Sequence, residues 1–198
     1  MSPVRLSAAV NPRRSLILVC ALILALGVAA CGGSTPGNVA DANNNGGYVN
    51  AGHLTYQLQV SRQLNEYLTE DSQYVKGLPA GVSPNLPPDE MWYGVFLWAK
   101  NQTNAPLTTT DNFEVVDTQG HTYYPLRLNT ALNPFAWTAQ TLRPGSVQPD
   151  PETIAGQGPT QGGLLLFKVN TDVYSNRPLT LFILGSSNQR LASISLDL

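Results

Sequence analysis

The sequence predicts an all-β protein, a two-layer antiparallel β-sandwich of about seven strands that follows an N-terminal export segment. Three observations carry that prediction. Across much of residues 53–198 apolar residues recur every second position, the pattern of strands with one buried face. The short apolar runs are separated by Gly- and Pro-rich connections, as in sandwiches, and no stripe at helical spacing is long enough to compete. Charged residues make up only 12% of the chain against 42% hydrophobic, below the roughly 25% of ordinary globular domains. The surface is therefore rich in Asn, Gln, Thr and Ser, which suits an exported β protein better than a cytosolic helical one. A folded part of about 145 residues buries roughly 68–70% of its unfolded surface, enough for a core without metals or disulfides.

The first element, residues 1–30, reads as a signal peptide. Basic residues ending in Arg13-Arg14 precede an unbroken apolar run from Leu16 to Ala30, which closes on Val28-Ala29-Ala30 before Cys31; these are the n-region, the h-region and the processing site. The run is shorter than the roughly 20 residues of a membrane-spanning helix, which makes a permanent span the weaker reading. Arg13-Arg14 suggests a twin-arginine signal, but Pro12 and Ser15 fit it poorly and general secretion fits better.

Val28-Ala29-Ala30-Cys31 resembles the lipobox of bacterial lipoproteins. That resemblance implies cleavage between Ala30 and Cys31, a palmitate-type diacylglyceryl lipid on the Cys31 sulfur, and anchorage at the outer face of the cell membrane. Cysteine usage agrees, because Cys20 lies in the discarded run and Cys31 is then the sole cysteine. A lone free thiol outside the cell is a liability that acylation removes. Residues 31–52 are rich in Gly, Ser, Asn, Asp and Ala, including Asn43-Asn44-Asn45-Gly46-Gly47. Such a stretch buries too little to offset its ordering entropy, so it is expected to be a flexible tether reaching roughly 25 Å.

The domain itself is expected to span 53–198. Leu54, Tyr56, Leu58 and Val60 alternate with polar residues, as do Ala192, Ile194, Leu196 and Leu198 at the other end, so both ends read as strands. Met91 to Lys100 is apolar on both faces, as a central strand covered by a second sheet is. Phe113 to Asp117 and His121 to Leu126 flank Thr118-Gln119-Gly120, a hairpin signal. Gly163 to Val169 and Leu179 to Gly185 are further strands, with one helical turn at Asp172 to Ser175 before Pro178. Arg62 to Asp89, with four prolines, reads as a long ordered loop.

Several of these segments also carry a family likeness. Trp92 to Asn101, Asn104-Ala105-Pro106-Leu107, Phe113 to Tyr123, Leu142-Arg143-Pro144-Gly145 and Gly163 to Val169 together resemble the extracellular immunoglobulin-like domains of unknown function found in Gram-positive bacterial lipoproteins. They are similar also to a secreted mycobacterial immunogenic β-sandwich protein. The resemblance covers residues 54–198 and its motifs are structural: Asn101 with Pro106 in a turn, and Asp117 with Gly120 in a hairpin. It implies an immunoglobulin-like sandwich in an extracellular setting, and no catalytic residues come with it.

Composition excludes some function classes. Of the 11 Lys and Arg, three (Arg5, Arg13, Arg14) precede residue 31, which leaves eight against all 13 acids, a formal charge of −5 beyond the leader. Those eight are scattered singly, the opposite of a nucleic-acid surface. His53 and His121 belong to no ligand-spaced set, no Gly-x-Ser-x-Gly elbow occurs, and exposed loop positions explain both histidines. The acids Glu70-Asp71, Asp89-Glu90, Asp111, Glu114 and Asp117 admit a loop calcium site, though solvated charge explains them better. Asn101-Gln102-Thr103 matches a glycosylation acceptor, but a turn role fits better. No enzyme activity, metal or cofactor is expected.

Aromatics are what remains for recognition. The candidate ligand or partner surface is Phe135 and Trp137, which lie outside an obvious strand, together with Trp92. The leading expectation is a lipid-anchored, non-enzymatic module that binds or supports envelope components or secreted proteins. It predicts an exposed apolar patch. The runner-up is a lipoprotein for a small molecule or glycan, and it predicts a pocket lined by the tryptophans.

Overall fold

The computed structural model describes residues 40–42 and 47–196. In chain order the elements are β1 (Ala40–Ala42), β2 (Tyr48–Ala51), β3 (Leu54–Leu64), α1 (Thr69–Ser72), β4 (Glu90–Asn101), β5 (Leu107–Thr108), β6 (Phe113–Val116), β7 (Thr122–Tyr123), β8 (Thr141–Leu142), β9 (Val147–Gln148), α2 (Ile154–Gln157), β10 (Gly163–Asn170), a 3₁₀ turn (Thr171–Tyr174), β11 (Leu179–Leu184) and β12 (Arg190–Leu196).

Two sheets form the sandwich. One has the order β1-β12-β11-β6-β7; the other runs β10-β4-β3-β2, with β9 also paired to β4. Among the named strands of the described residues every pairing is antiparallel except the parallel match of β1 to β12. Between the sheets lies the main core. Tyr56, Leu58, Tyr93, Val95, Leu97 and Phe167 from one sheet meet Phe113, Val115, Leu181, Ile183 and Ile194 from the other. Each of the seven expected strands has a counterpart, one of them only two residues long.

The region expected to be a tether contains two of the strands. Val49 and Ala51 are buried while Tyr48 and Asn50 are exposed, a period of two that continues through the Gly52-His53 turn into β3, where Gly52 takes a φ of +63°. Four residues with half their side chains polar bury little by themselves. Pairing to β3, from Tyr48 opposite Gln57 to Ala51 opposite Leu54, holds them. The folded domain thus begins before residue 53.

The alternation in β3 does not place all four expected residues on one face. The ladder to β4 shifts between Leu58 and Val60, so Gln59 is an extra residue that reverses the side-chain parity. Leu54, Tyr56 and Leu58 point into the sandwich, whereas Val60 packs on its outside. Beyond the bulge Leu64 is buried on that outer face too.

A second, smaller core explains why β4 is apolar on both sides. Trp92 and Phe96, on its outer face, are covered by loops and not by another sheet. Tyr74, Val75 and Phe135 close over them, with Leu64, Leu164 and Leu166 at their flanks. Tyr74 contacts Phe96 and Phe135 edge-on at centroid distances of 5.0 and 4.8 Å, the geometry aromatic pairs favour. The loop expected from Arg62 begins only after Leu64, since β3 continues to that residue, and residues 65–89 are the lid of this core. Arg62 and Asp71 clamp it in a two-pronged ion pair, and Asn133 joins it to the neighbouring loop by donating to the carbonyls of Tyr74 and Lys76 at 2.9 and 3.0 Å.

The strand expected over His121 to Leu126 pairs only at Thr122–Tyr123. Pro125 has no N–H for a ladder, and the chain leaves this sheet for the other, where Leu126 N–H donates to Leu166 O at 2.8 Å.

Candidate ligand cleft

That crossover opens a cleft of about 470 Å³, within the size range of small-molecule sites. Its floor is apolar, formed by Phe113, Trp137, Leu164 and Leu165 where the two sheets part. One wall is the crossing segment Tyr124 to Leu128, and the mouth is polar, with Asp111, Asn112, Thr138 and Asn188. Across the mouth Arg127 donates to Asp111 at 3.0 Å.

Local sequence explains how the floor is built. Trp137 N–H donates to Leu164 O at 2.9 Å, and Leu164 N–H to Phe135 O at 2.7 Å, so residues 135–137 serve as a short extra strand along β10. Gly163 permits this approach. A Cβ there would lie 2.7 Å from the Trp137 ring, closer than side chains tolerate. The indole is then fixed by its Nε1–H, which donates to Thr110 O at 2.8 Å, and by edge-on contact with Phe113 at 5.8 Å. Tyr56 lies beside it. Burial pushes the Tyr56 phenol up to about 12, opposed by the Thr110 N–H that it accepts, so the phenol is a neutral part of the core.

The structure corrects the proposed aromatic surface. Trp92, Phe135 and Trp137 are 0%, 3% and 8% exposed, so none protrudes. Trp92 lies beneath the long loop and donates through Nε1 to Pro84 O at 2.7 Å. Phe135 belongs to the second core. Only Trp137 borders the cleft, and Trp98 borders a separate shallow depression. Arg127, which closes the mouth against Asp111, is not singled out by sequence reasoning. Pro125, inside the strand expected over His121 to Leu126, was the available signal that the chain departs there. Ala30 and Cys31, the cleavage and lipid positions, lie outside the described residues, as do 1–39.

The remaining candidates are used structurally. His53 is exposed in the β2–β3 turn. His121 is 64% exposed in its side chain and meets the fully buried Asp117 carboxylate through Nδ1 at 2.8 Å. Asp117 also accepts from the backbone N–H groups of Gln119 and His121 and from Asn176. Burial favours the neutral acid, but these hydrogen bonds outweigh it and hold the carboxyl below its ordinary value. Asp117 is thus the organiser of the β6–β7 hairpin. No hydroxyl hydrogen-bonds to His121 among the described residues. Glu90, Asp111 and Glu114 are each committed to a separate cation, Lys168, Arg127 and Arg190. Among the described residues no three or more His, Cys, Asp and Glu gather as a metal site. Asn101 is fully buried, donating to Ala105 O and Leu142 O and accepting from Thr103, so it shapes a turn.

No family model and no curated protein matches the sequence. In structure the chain is similar to the yjhA protein of Bacillus subtilis, with TM-score 0.49 and 15% identity over 77% of this chain and 97% of that one. It is similar also to the ycdA protein of Bacillus subtilis, described as a candidate lipoprotein, with TM-score 0.43 and 11% identity over 73% of this chain and 36% of that one. An uncharacterised β-sandwich protein from Clostridium difficile gives TM-score 0.40 and 10% identity over 83% and 100%. Among the described residues no helix is long and apolar enough to cross a membrane.

Proposed function

We propose that this chain is an exported β-sandwich, tethered through a lipid on Cys31 to the outer face of the cell membrane, which works there by binding and not by catalysis. The leader from Arg5 to Ala30 and the small residues before Cys31 support the placement. The cleft beside Trp137 carries the binding half of the reading. It combines an apolar floor with a few polar groups at the mouth, the composition of sites that hold small amphipathic molecules. Its carboxylates, Asp111 and Glu114, are paired with Arg127 and Arg190, and among the described residues neither faces a nucleophile as the base of acyl-transfer catalysis does.

Mass spectrometry of the protein recovered from membranes tests the placement. The expected product begins at Cys31 and carries a thioether-linked diacylglyceryl group. A chain that retains its first thirty residues, or bears an unmodified sulfur, overturns the tether and leaves the cleft to be judged on ligand binding.

A further inference from the structure

The outer face of the second sheet is only half covered. The loops shield Trp92 and Phe96, but the face toward β2 is open. There the register places Tyr48, Gln57 and Trp98 in one row across β2, β3 and β4, and Asn50, Thr55 and Lys100 in the next. Tyr48 is 69% exposed. Trp98 is half-buried and borders a depression of about 160 Å³ together with Tyr48, Thr55, Gln57, Lys100 and Gln102. This site is separate from the Trp137 cleft, with which it shares no residue.

From this face we infer a binding site for a neutral polysaccharide, with Tyr48 and Trp98 as aromatic platforms and Gln57 as the hydrogen-bonding group between them. The chemistry points to sugars by its balance. Two aromatic side chains stand among amides and hydroxyls, and Lys100 is the only ionisable group of the depression besides Tyr48. A protein partner would need more apolar area at its centre, and a polyanion more cations. Aromatic rings pack against the C–H faces of pyranose rings, and primary amides bridge adjacent hydroxyls.

The geometry adds a length. Residues two strands apart in one row are roughly 10 Å apart at the strand spacing of about 4.8 Å, the span of two sugar units, so the platforms match alternate residues of an extended glycan. The amides are already oriented, since Gln59 donates to Gln57 Oε1 at 2.8 Å and Thr55 to Asn50 Oδ1 at 2.8 Å. Such preorganisation lowers the cost of binding. Finally, Trp98 Nε1 is, among the described residues, the one buried side-chain polar atom with no hydrogen-bond partner. The Trp98 side chain borders the depression, and a shift of the ring that uncovers this N–H would offer it to a ligand oxygen.

Affinity electrophoresis of the full chain in native gels tests the inference. The probes are hydroxyethylcellulose, galactan and dextran as neutral polymers, and polygalacturonate as a polyanion. Retardation by a neutral polymer is expected, weakened roughly tenfold in Trp98→Ala and in Tyr48→Ala, as for loss of an aromatic anchor. If Trp98→Ala fails to fold by circular dichroism, Tyr48→Ala and Gln57→Ala carry the test. Thr138→Trp, which fills the mouth of the other cleft, should leave retardation unchanged. No retardation by any neutral polymer, retardation by polygalacturonate alone, or sensitivity to Thr138→Trp with none to Tyr48→Ala each overturns the inference, and none of these touches the Cys31 mass.

Discussion

Arg62 and Asp71 grip each other twice, Nη2 to Oδ1 at 2.6 Å and Nη1 to Oδ2 at 3.0 Å, at the point where the long loop leaves β3. Asp71 also accepts the Asn65 N–H at 2.9 Å, and its side chain is 7% exposed against 36% for Arg62. A carboxylate so enclosed fixes the loop over the second core. Asp71→Asn should lower stability by about 1–3 kcal/mol, the range for a hydrogen-bonded charged group, and should speed proteolytic cleavage within residues 65–89. Urea denaturation and limited proteolysis check both; a variant as stable and as resistant as the wild type removes the latch.

Acid should unfold the domain through two carboxylates. Burial favours the neutral form of both Asp71 and Asp117, but their hydrogen bonds outweigh it and depress both values. A depressed folded-state value contributes stability that is complete above the unfolded value of about 3.9 and is lost as pH falls through the folded one. Stability should therefore decline below about pH 4, and Asp71→Asn and Asp117→Asn should each flatten that decline. Thermal unfolding between pH 2 and 7 measures it, and an unchanged slope in both variants contradicts the assignment.

Phe135 separates a core role from a surface role. Phe135→Ala should cost about 3–5 kcal/mol, as for a deleted buried aromatic, whereas Tyr124→Ala, at an exposed ring, should stay within about 0.5 kcal/mol. Equal effects in chemical denaturation would place Phe135 at the surface after all.

Asn101 offers a sharper test of the turn. In Asn101→Asp a carboxylate oxygen faces the carbonyls of Ala105 and Leu142 where an amide N–H₂ now donates. The loss should be at least about 2 kcal/mol, more than for Asn104→Asp at the neighbouring exposed position. Comparable midpoints for the two variants would argue against the network.

The cleft depends on the close approach of Gly163 to Trp137. Gly163→Ala should displace the indole, shift tryptophan emission, and weaken binding of the amphiphilic dye anilinonaphthalene sulfonate, while Thr138→Trp should block that dye with the fold intact. A single saturable dye site in the wild type is the expected baseline. Binding unaffected by both changes would place the dye elsewhere.

The longer strands were legible because a period of two or an unbroken apolar run stands out in them, whereas of His121 to Leu126 only Thr122–Tyr123 pairs. The same legibility misled in places. Val60 continues the alternation of Leu54, Tyr56 and Leu58, yet faces the other way because Gln59 bulges. Met91 to Lys100 reads as buried on both sides, which is correct, but periodicity does not say whether a sheet or a loop does the covering. The strand Tyr48–Ala51 was hidden by the Asn- and Gly-rich run before it, since its order comes from β3 and not from its own composition.

What the residues determined alone is the alternation that makes sheets and the turn chemistry of Asn101 and Asp117. Which aromatics are exposed was decided only by the fold. Trp92, Trp98 and Trp137 are chemically identical side chains, and one lies under a loop, one borders an open sheet face and one floors a cleft. Those fates depend on contacts between segments tens of residues apart, which local pattern does not encode.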